Sequence, residues 1–184
     1  MTKLILVRHG ETDWNRVNRI QGWLDIPLNE EGIKQAEISA EELSRVKMAA
    51  VYSSPLKRAL QTAKAIAGKQ HLGIKKVSAL QEINFGKWQG LLVSEAKRED
   101  EELYCRWLRK PLEVRPPGGE SLEEVSRRVE KACRTIADTH PQETVCLVTH
   151  KVAAALIKCH YLNLDRNRIW ELLPENANWE VIDV

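Results

Sequence analysis

Three short aliphatic runs, Leu4–Val7, Met48–Tyr52 and Val145–Val148, punctuate an otherwise amphipathic chain, and each stops abruptly at polar or glycine residues. Runs of this kind predict central parallel strands, because such a sheet is covered by helices on both faces. Between them the apolar positions switch to helical spacing. After Leu28-Asn29, the acids Glu30 and Glu31 favour a helix N-terminus, and Ile33, Ala36, Ala40 and Leu43 fall on one face. Ser54-Pro55 offers an N-cap and a proline at the first helical position, leading into Leu56, Ala59, Leu60, Ala63 and Ile66. Ser121-Leu122-Glu123-Glu124 is a capping-box pattern that opens a helix through Val125, Val129, Cys133 and Ile136. The stretch Val152–His160 reads as a further helix, and Asn178–Val184 as a short edge strand.

This alternation predicts an α/β fold: a three-layer α/β/α sandwich around a mostly parallel central sheet, with a helical lid-like insertion. At 184 residues, without a visible repeat or low-complexity linker, a single domain spanning residues 1–184 is expected. The least regular stretch, 97–120, holds Lys97-Arg98, an acidic run, Trp107 and the breaker cluster Pro116-Pro117-Gly118-Gly119. It reads as a helical insertion followed by a loop, either a lid over the strand ends or a solvated excursion.

Composition narrows the function classes. Hydrophobic residues at 43% and charged residues at 29%, with both signs interspersed, exclude a disordered chain. A formal charge of +2 is too small to argue for a nucleic-acid partner. The longest apolar run, Val152–Ile157, falls far short of the roughly 18 residues of a membrane span, so no membrane partner is expected. Lys3 precedes only four strong hydrophobes before Arg8, whereas a secretory segment needs about 7 to 15, which points to the cytoplasm. Cys105, Cys133, Cys146 and Cys159 contain no C-x-x-C pair and read as reduced, buried thiols rather than metal ligands. A homo-oligomer is compatible with this composition.

The candidate chemistry stands where the apolar runs end. The first gives Arg8 and His9, the second leads through Ser53-Ser54-Pro55 to Arg58 in a first helical turn, and the third gives Thr149 and His150. Ligands of open α/β sheets bind at the carboxyl ends of the strands, so neighbouring strands would bring these side chains into one pocket. Arginine offers a permanent planar cation for phosphate or carboxylate, and histidine a base, nucleophile or ligand. A helix N-terminus at Arg58 would add exposed amides that favour an anion.

These residues also lie in blocks that resemble the histidine phosphatase superfamily, the phosphoglycerate mutase-like family. Arg8-His9-Gly10-Glu11-Thr12 is similar to its signature. Further similar blocks are Trp14-Asn15, Arg19-Ile20-Gln21-Gly22, Ser53-Ser54-Pro55-Leu56-Lys57-Arg58-Ala59, Leu80-Gln81-Glu82, Pro117-Gly118-Gly119-Glu120-Ser121 and Val148-Thr149-His150. Together they cover nearly the whole chain. The resemblance implies that His9 attacks phosphorus and becomes a phosphohistidine, that Arg8, Asn15, Arg58 and His150 hold the phosphoryl group, and that Glu82 protonates the leaving oxygen. Flanking cations suit this use of His9, because they disfavour a further positive charge on the imidazole. Beside a bound dianion a carboxyl group favours its protonated form, which suits a donor. The chain departs from the family where Lys151 follows His150, a position that is often glycine.

The resemblance implies hydrolysis of a small-molecule phosphate monoester with no cofactor and no metal. The compact length and the Pro-Pro-Gly-Gly-Glu-Ser block resemble the small phosphatases, with α-ribazole 5'-phosphate as the nearest named substrate. Phosphoglycerate mutase, a broad-specificity sugar phosphatase and a catalytically silent phosphate-binding interaction protein are the alternatives. Gln21, Gly22, Arg106, Trp107 and Arg109 are the candidates for substrate selection. Trp14, Trp23 and Trp88 are candidates for the cleft wall, although tryptophans more often belong to cores.

Overall fold

A computed structural model describes residues 1–184. In chain order it contains β1 (Lys3–Arg8), α1 (Asp13–Arg16), α2 (Glu30–Glu42), β2 (Ala50–Ser53), α3 (Lys57–Gln70) and β3 (Ile74–Lys76). There follow α4 (Val93–Glu99), α5 (Glu101–Arg109), α6 (Leu122–Thr139), β4 (Thr144–Thr149), α7 (Lys151–Tyr161) and β5 (Trp179–Asp183). The sheet runs β3-β2-β4-β1-β5, parallel throughout except for β5, which is antiparallel to β1.

The three inner strands β1, β2 and β4 are apolar along most of their length because they serve two cores. Successive side chains of a strand point to opposite faces. Leu4, Leu6, Tyr52, Val145 and Leu147 accordingly pack with α5, α6 and α7, whereas Ile5, Val7, Val51, Cys146 and Val148 pack with α2 and α3. Each fully buried aliphatic side chain contributes roughly 1.5–3 kcal/mol, so both helical layers are needed to retain the sheet. The result is the three-layer sandwich. No helix is long and apolar enough to cross a membrane, and all four cysteines are free, with burial pushing the Cys133 and Cys146 thiols up to about 12.

Several boundaries differ from the pattern-based expectation. β3 has only Ile74 among three residues, too little apolar signal to mark an edge strand. β2 begins at Ala50, beyond Met48. In α2 the buried face is Gly32, Ala36, Ser39 and Ala40, while Ile33 is exposed. Gly32 packs against the Glu11 backbone so closely that a Cβ there would overlap it, so the first turn buries Gly32 in place of Ile33, while Ala36, Ala40 and Leu43 of the expected face are buried. α3 starts at Lys57 with Leu56 extended as its N-cap, so Ser54 lies two residues before the cap, where its hydroxyl accepts from the Leu56 amide and meets His150 Nε2 at 2.7 Å. The Ser121–Glu124 capping box forms as read, with bonds of 2.9 and 3.2 Å.

The stretch expected as an insertion at 97–120 begins its helical part earlier, at Val93. It is not a solvated excursion: α5 buries Tyr104 and Trp107 against Trp88 and Trp170, with ring centroids 5.0–6.0 Å apart for Trp88–Tyr104, Trp88–Trp107 and Trp107–Trp170.

Candidate active site

Parallel register sets the carboxyl ends of three strands side by side, with Arg8 opposite Thr149 and Ser53 opposite Val148. The residues just beyond remain tied across the sheet: the His9 amide donates to the Thr149 carbonyl and the Ser54 amide to the Val148 carbonyl, both at 3.0 Å. His9 leaves β1 through Gly10, where an added Cβ would overlap the Gly32 backbone, so only glycine fits.

His9 is almost wholly buried. Its Nδ1 lies 2.7 Å from the Gly10 carbonyl oxygen, which can only accept, so Nδ1 carries the proton. Nε2 is then the ring's lone-pair nitrogen and accepts from Arg58 Nε at 3.3 Å. Burial, followed by the Arg58 and Arg8 charges, holds the imidazole well below the ordinary histidine range. It is therefore neutral and oriented.

Arg58, at the second position of α3, is 1% exposed. It donates Nη1 to the Leu24 carbonyl at 2.8 Å and Nη2 to the Gly22 carbonyl at 2.7 Å, which presents the guanidinium in one orientation. Gly22 makes its carbonyl available by adopting φ +53°, in the left-handed region. Arg8 donates Nη1 to the Pro174 carbonyl at 2.6 Å, and its buried Nε has no partner. Burial lowers both guanidiniums to about 10, with Glu82 opposing the fall, so both stay charged at neutral pH.

Glu82 sits over the N-terminus of α7. Its carboxylate accepts from the amides of Ile83 at 3.0 Å, Val152 at 3.1 Å and Ala153 at 3.2 Å. These amides fix the orientation of the carboxyl group at the start of the helix. Asn15 Oδ1 accepts from the amide of Thr12, the N-cap of α1, at 3.0 Å and so closes the capping box, which fixes the side chain on the cleft wall.

A cleft of about 440 Å³ is lined by Arg8, His9, Asn15, Gln21, Gly22, Arg58, Glu82, Trp107 and Lys151 among others. Trp14 and Trp88 line it as well; Trp23 does not. His150 is absent from the lining: it is fully buried behind His9, with ring centroids 5.1 Å apart and Nε2 2.7 Å from Ser54 Oγ, while Nδ1 has no partner. Burial, then Arg58 and His9, holds its imidazole well below the ordinary range. Arg106 and Arg109 are exposed on the outer face of α5 and do not reach the cleft, because that helix turns its aromatic face inward instead. Lys151 does line it, with burial and then Arg8 lowering its ammonium. No group of three or more His, Cys, Asp or Glu is arranged to hold a metal ion.

Three contributors escape a reading of local sequence. Arg128 and Glu120, from α6 and the preceding loop, and Trp23, from the 20–27 loop, all bond to the backbone around Glu82. Their roles depend on contacts more than 30 residues away, for which a single sequence carries no signal.

A cleft at the carboxyl edge of a parallel sheet, holding a neutral buried histidine between two fixed guanidiniums with a carboxylate nearby, defines a phosphoryl-transfer type of site. The chain belongs to the histidine phosphatase superfamily (branch 1), whose family description matches residues 4–184, and it is an enzyme of that phosphoglycerate mutase-like phosphatase type. It is 42% identical over 182 residues to phosphoserine phosphatase 1 of Hydrogenobacter thermophilus, covering 99% of this chain and 86% of that protein. Among solved structures it is similar to Bacillus stearothermophilus YhfR, with a TM-score of 0.93 and 33% identity over 100% of this chain and 92% of that one. The α-ribazole phosphatase from Shigella flexneri gives a TM-score of 0.89 and 27% identity, covering 99% and 90%.

Proposed function

We propose that the protein hydrolyses a small-molecule phosphate monoester through a phosphohistidine on His9. The observation that carries this reading is the His9 tautomer: with Nδ1–H held by the Gly10 carbonyl, Nε2 presents a lone pair beside Arg58. Nε2 attacks phosphorus, a P–N bond forms, and the P–O bond to the leaving group breaks. Glu82, protonated beside the dianion, passes its proton to the departing oxygen. Water then attacks phosphorus, gives its proton back to Glu82, and the P–N bond breaks to release inorganic phosphate. Arg8 and Arg58 hold the phosphoryl oxygens; the unpartnered Arg8 Nε is a donor that a bound oxyanion satisfies. The Ser54 hydroxyl accepts from the Leu56 amide and donates to His150 Nε2, which leaves Nδ1–H of a neutral His150 as a further donor.

The aromatic side of the cleft, formed by Trp14, Phe85, Trp88, Trp107 and Trp170, supports a substrate with a flat apolar leaving group, as in α-ribazole 5'-phosphate. Lys151 and Glu175, which line the same cleft and form no ion pair, favour a zwitterionic leaving group, as in phosphoserine. A hydrolysis panel containing both, with sugar phosphates and a phosphoglycerate mutase assay beside it, tests the proposal. Phosphate release with no transfer between phosphoglycerates supports it. Transfer without release, or neither reaction in the folded protein, overturns it.

A further inference from the structure

We propose that Arg128, held by Glu120, and Trp23 are positioning residues that set the place of the proton donor Glu82; this rests on the acid role given to Glu82 above. The segment carrying Glu82 has no regular structure of its own. After the short turn Ser78–Leu80 the chain is extended at Gln81, and its carbonyls are bonded by side chains, that of Leu80 by Thr149 Oγ1 at 2.7 Å. Three of these carbonyls are taken by one guanidinium. Arg128 donates Nη1 to the carbonyls of Ala79 at 2.8 Å and Gln81 at 2.7 Å, and Nη2 to that of Glu82 at 2.8 Å.

That guanidinium is itself fixed. Glu120 pairs with it through two bonds, Nε to Oε1 at 2.8 Å and Nη2 to Oε2 at 2.9 Å, and both side chains are less than one-fifth exposed. A two-pronged Arg–carboxylate pair restricts orientation as well as distance. The same Glu120 Oε2 accepts the Asn84 amide at 2.8 Å, so the pair grips the chain on both sides of Glu82. From the opposite direction Trp23 Nε1 donates to the Glu82 carbonyl at 2.7 Å. Trp23 lies between Gly22 and Leu24, whose carbonyls orient Arg58. One short loop therefore registers the phosphate clamp and the proton donor against each other.

Trp23 is 42% exposed and does not line the cleft, so neither core packing nor substrate contact accounts for it. A general acid a fraction of an ångström out of place loses transfer to poor leaving groups first, because good leaving groups depart without a proton.

The experiment compares Trp23→Phe, Arg128→Met and Glu120→Gln with wild type and Glu82→Gln in single-turnover release of the leaving group, the step before water attacks, from an alkyl phosphate and from p-nitrophenyl phosphate, with melting temperatures recorded. Trp23→Phe is expected to fold as wild type does, since it removes one indole N–H from a partly exposed position. Arg128→Met is expected to lose roughly 10- to 100-fold in the single-turnover release rate on the alkyl ester, part of the about 10²–10⁴-fold that a positioned acid supplies. Trp23→Phe should lose several-fold in that rate, and single-turnover release of p-nitrophenol should stay within about twofold for both. Arg128→Lys should recover part of the loss. Equal losses on both esters, or unchanged kinetics in folded Trp23→Phe and Glu120→Gln, would overturn the positioning role while Glu82→Gln still discriminates between the esters. No discrimination by Glu82→Gln overturns the acid role, and the positioning role with it.

Discussion

Acidification should destabilise this fold through two histidines before the carboxylates titrate. His9 and His150 are buried without charge, held well below the ordinary range first by desolvation and then by Arg58. In the unfolded chain both return to about 6.5. Below that pH the unfolded state binds more protons than the folded one, so stability rises with pH and is lost as pH falls. While both folded imidazoles remain neutral, lowering the pH from 6.5 to 5.0 removes roughly 3 kcal/mol in total, shared about equally between them. That is a large part of the 5–15 kcal/mol typical of a folded domain. Urea unfolding at several pH values measures it, and comparison with His9→Gln and His150→Gln cancels the carboxylates. Each substitution should flatten the dependence by about one proton per molecule. Identical slopes in wild type and both variants would refute the neutral, buried assignment.

Other substitutions probe the site more locally. Glu82→Gln should slow single-turnover leaving-group release from alkyl phosphates by about 10²-fold or more while sparing release from activated aryl phosphates. Arg58→Met removes the donor on His9 Nε2 and the charge facing the phosphoryl oxygens; kcat/KM should fall by about 10²–10³-fold and inhibition by inorganic phosphate should weaken. Gly10→Ala forces a Cβ into the Gly32 backbone and should cost roughly 2–4 kcal/mol in urea unfolding, with activity falling as His9 shifts. Turnover should persist in a metal chelator, and its loss there would contradict the metal-free chemistry.

The strands and their order of chemistry were legible because a buried parallel strand needs an unbroken apolar run, and three such runs end at Arg8-His9, Ser53-Ser54 and Thr149-His150. Periodicity located α6 well, since its capping box and apolar stripe agree. In α2 it found the buried Ala36, Ala40 and Leu43 but not the exposure of Ile33, where the helix start is set by backbone contact between Gly32 and Glu11. Arg106 and Arg109 resemble substrate ligands only until α5 is rotated by the burial of Tyr104 and Trp107. His150, expected beside His9 to bind phosphate, does lie beside it, but it is fully buried with Nε2 against Ser54 Oγ, a contact that no local pattern announces. The Glu120–Arg128 pair has no local pattern at all; it exists only once α6 lies beside the 79–84 segment.

The phosphoenzyme itself is the most direct test of the chemistry at the end of β1. Rapid acid-free quenching of the enzyme with a labelled phosphate monoester, followed by peptide mapping under alkaline conditions, reports where the phosphoryl group resides during turnover. A phosphoramidate on the peptide containing His9, formed within one turnover and absent from His9→Asn, is the expected result. Full turnover by folded His9→Asn, or a covalent label on any other residue of the wild-type protein, would contradict it.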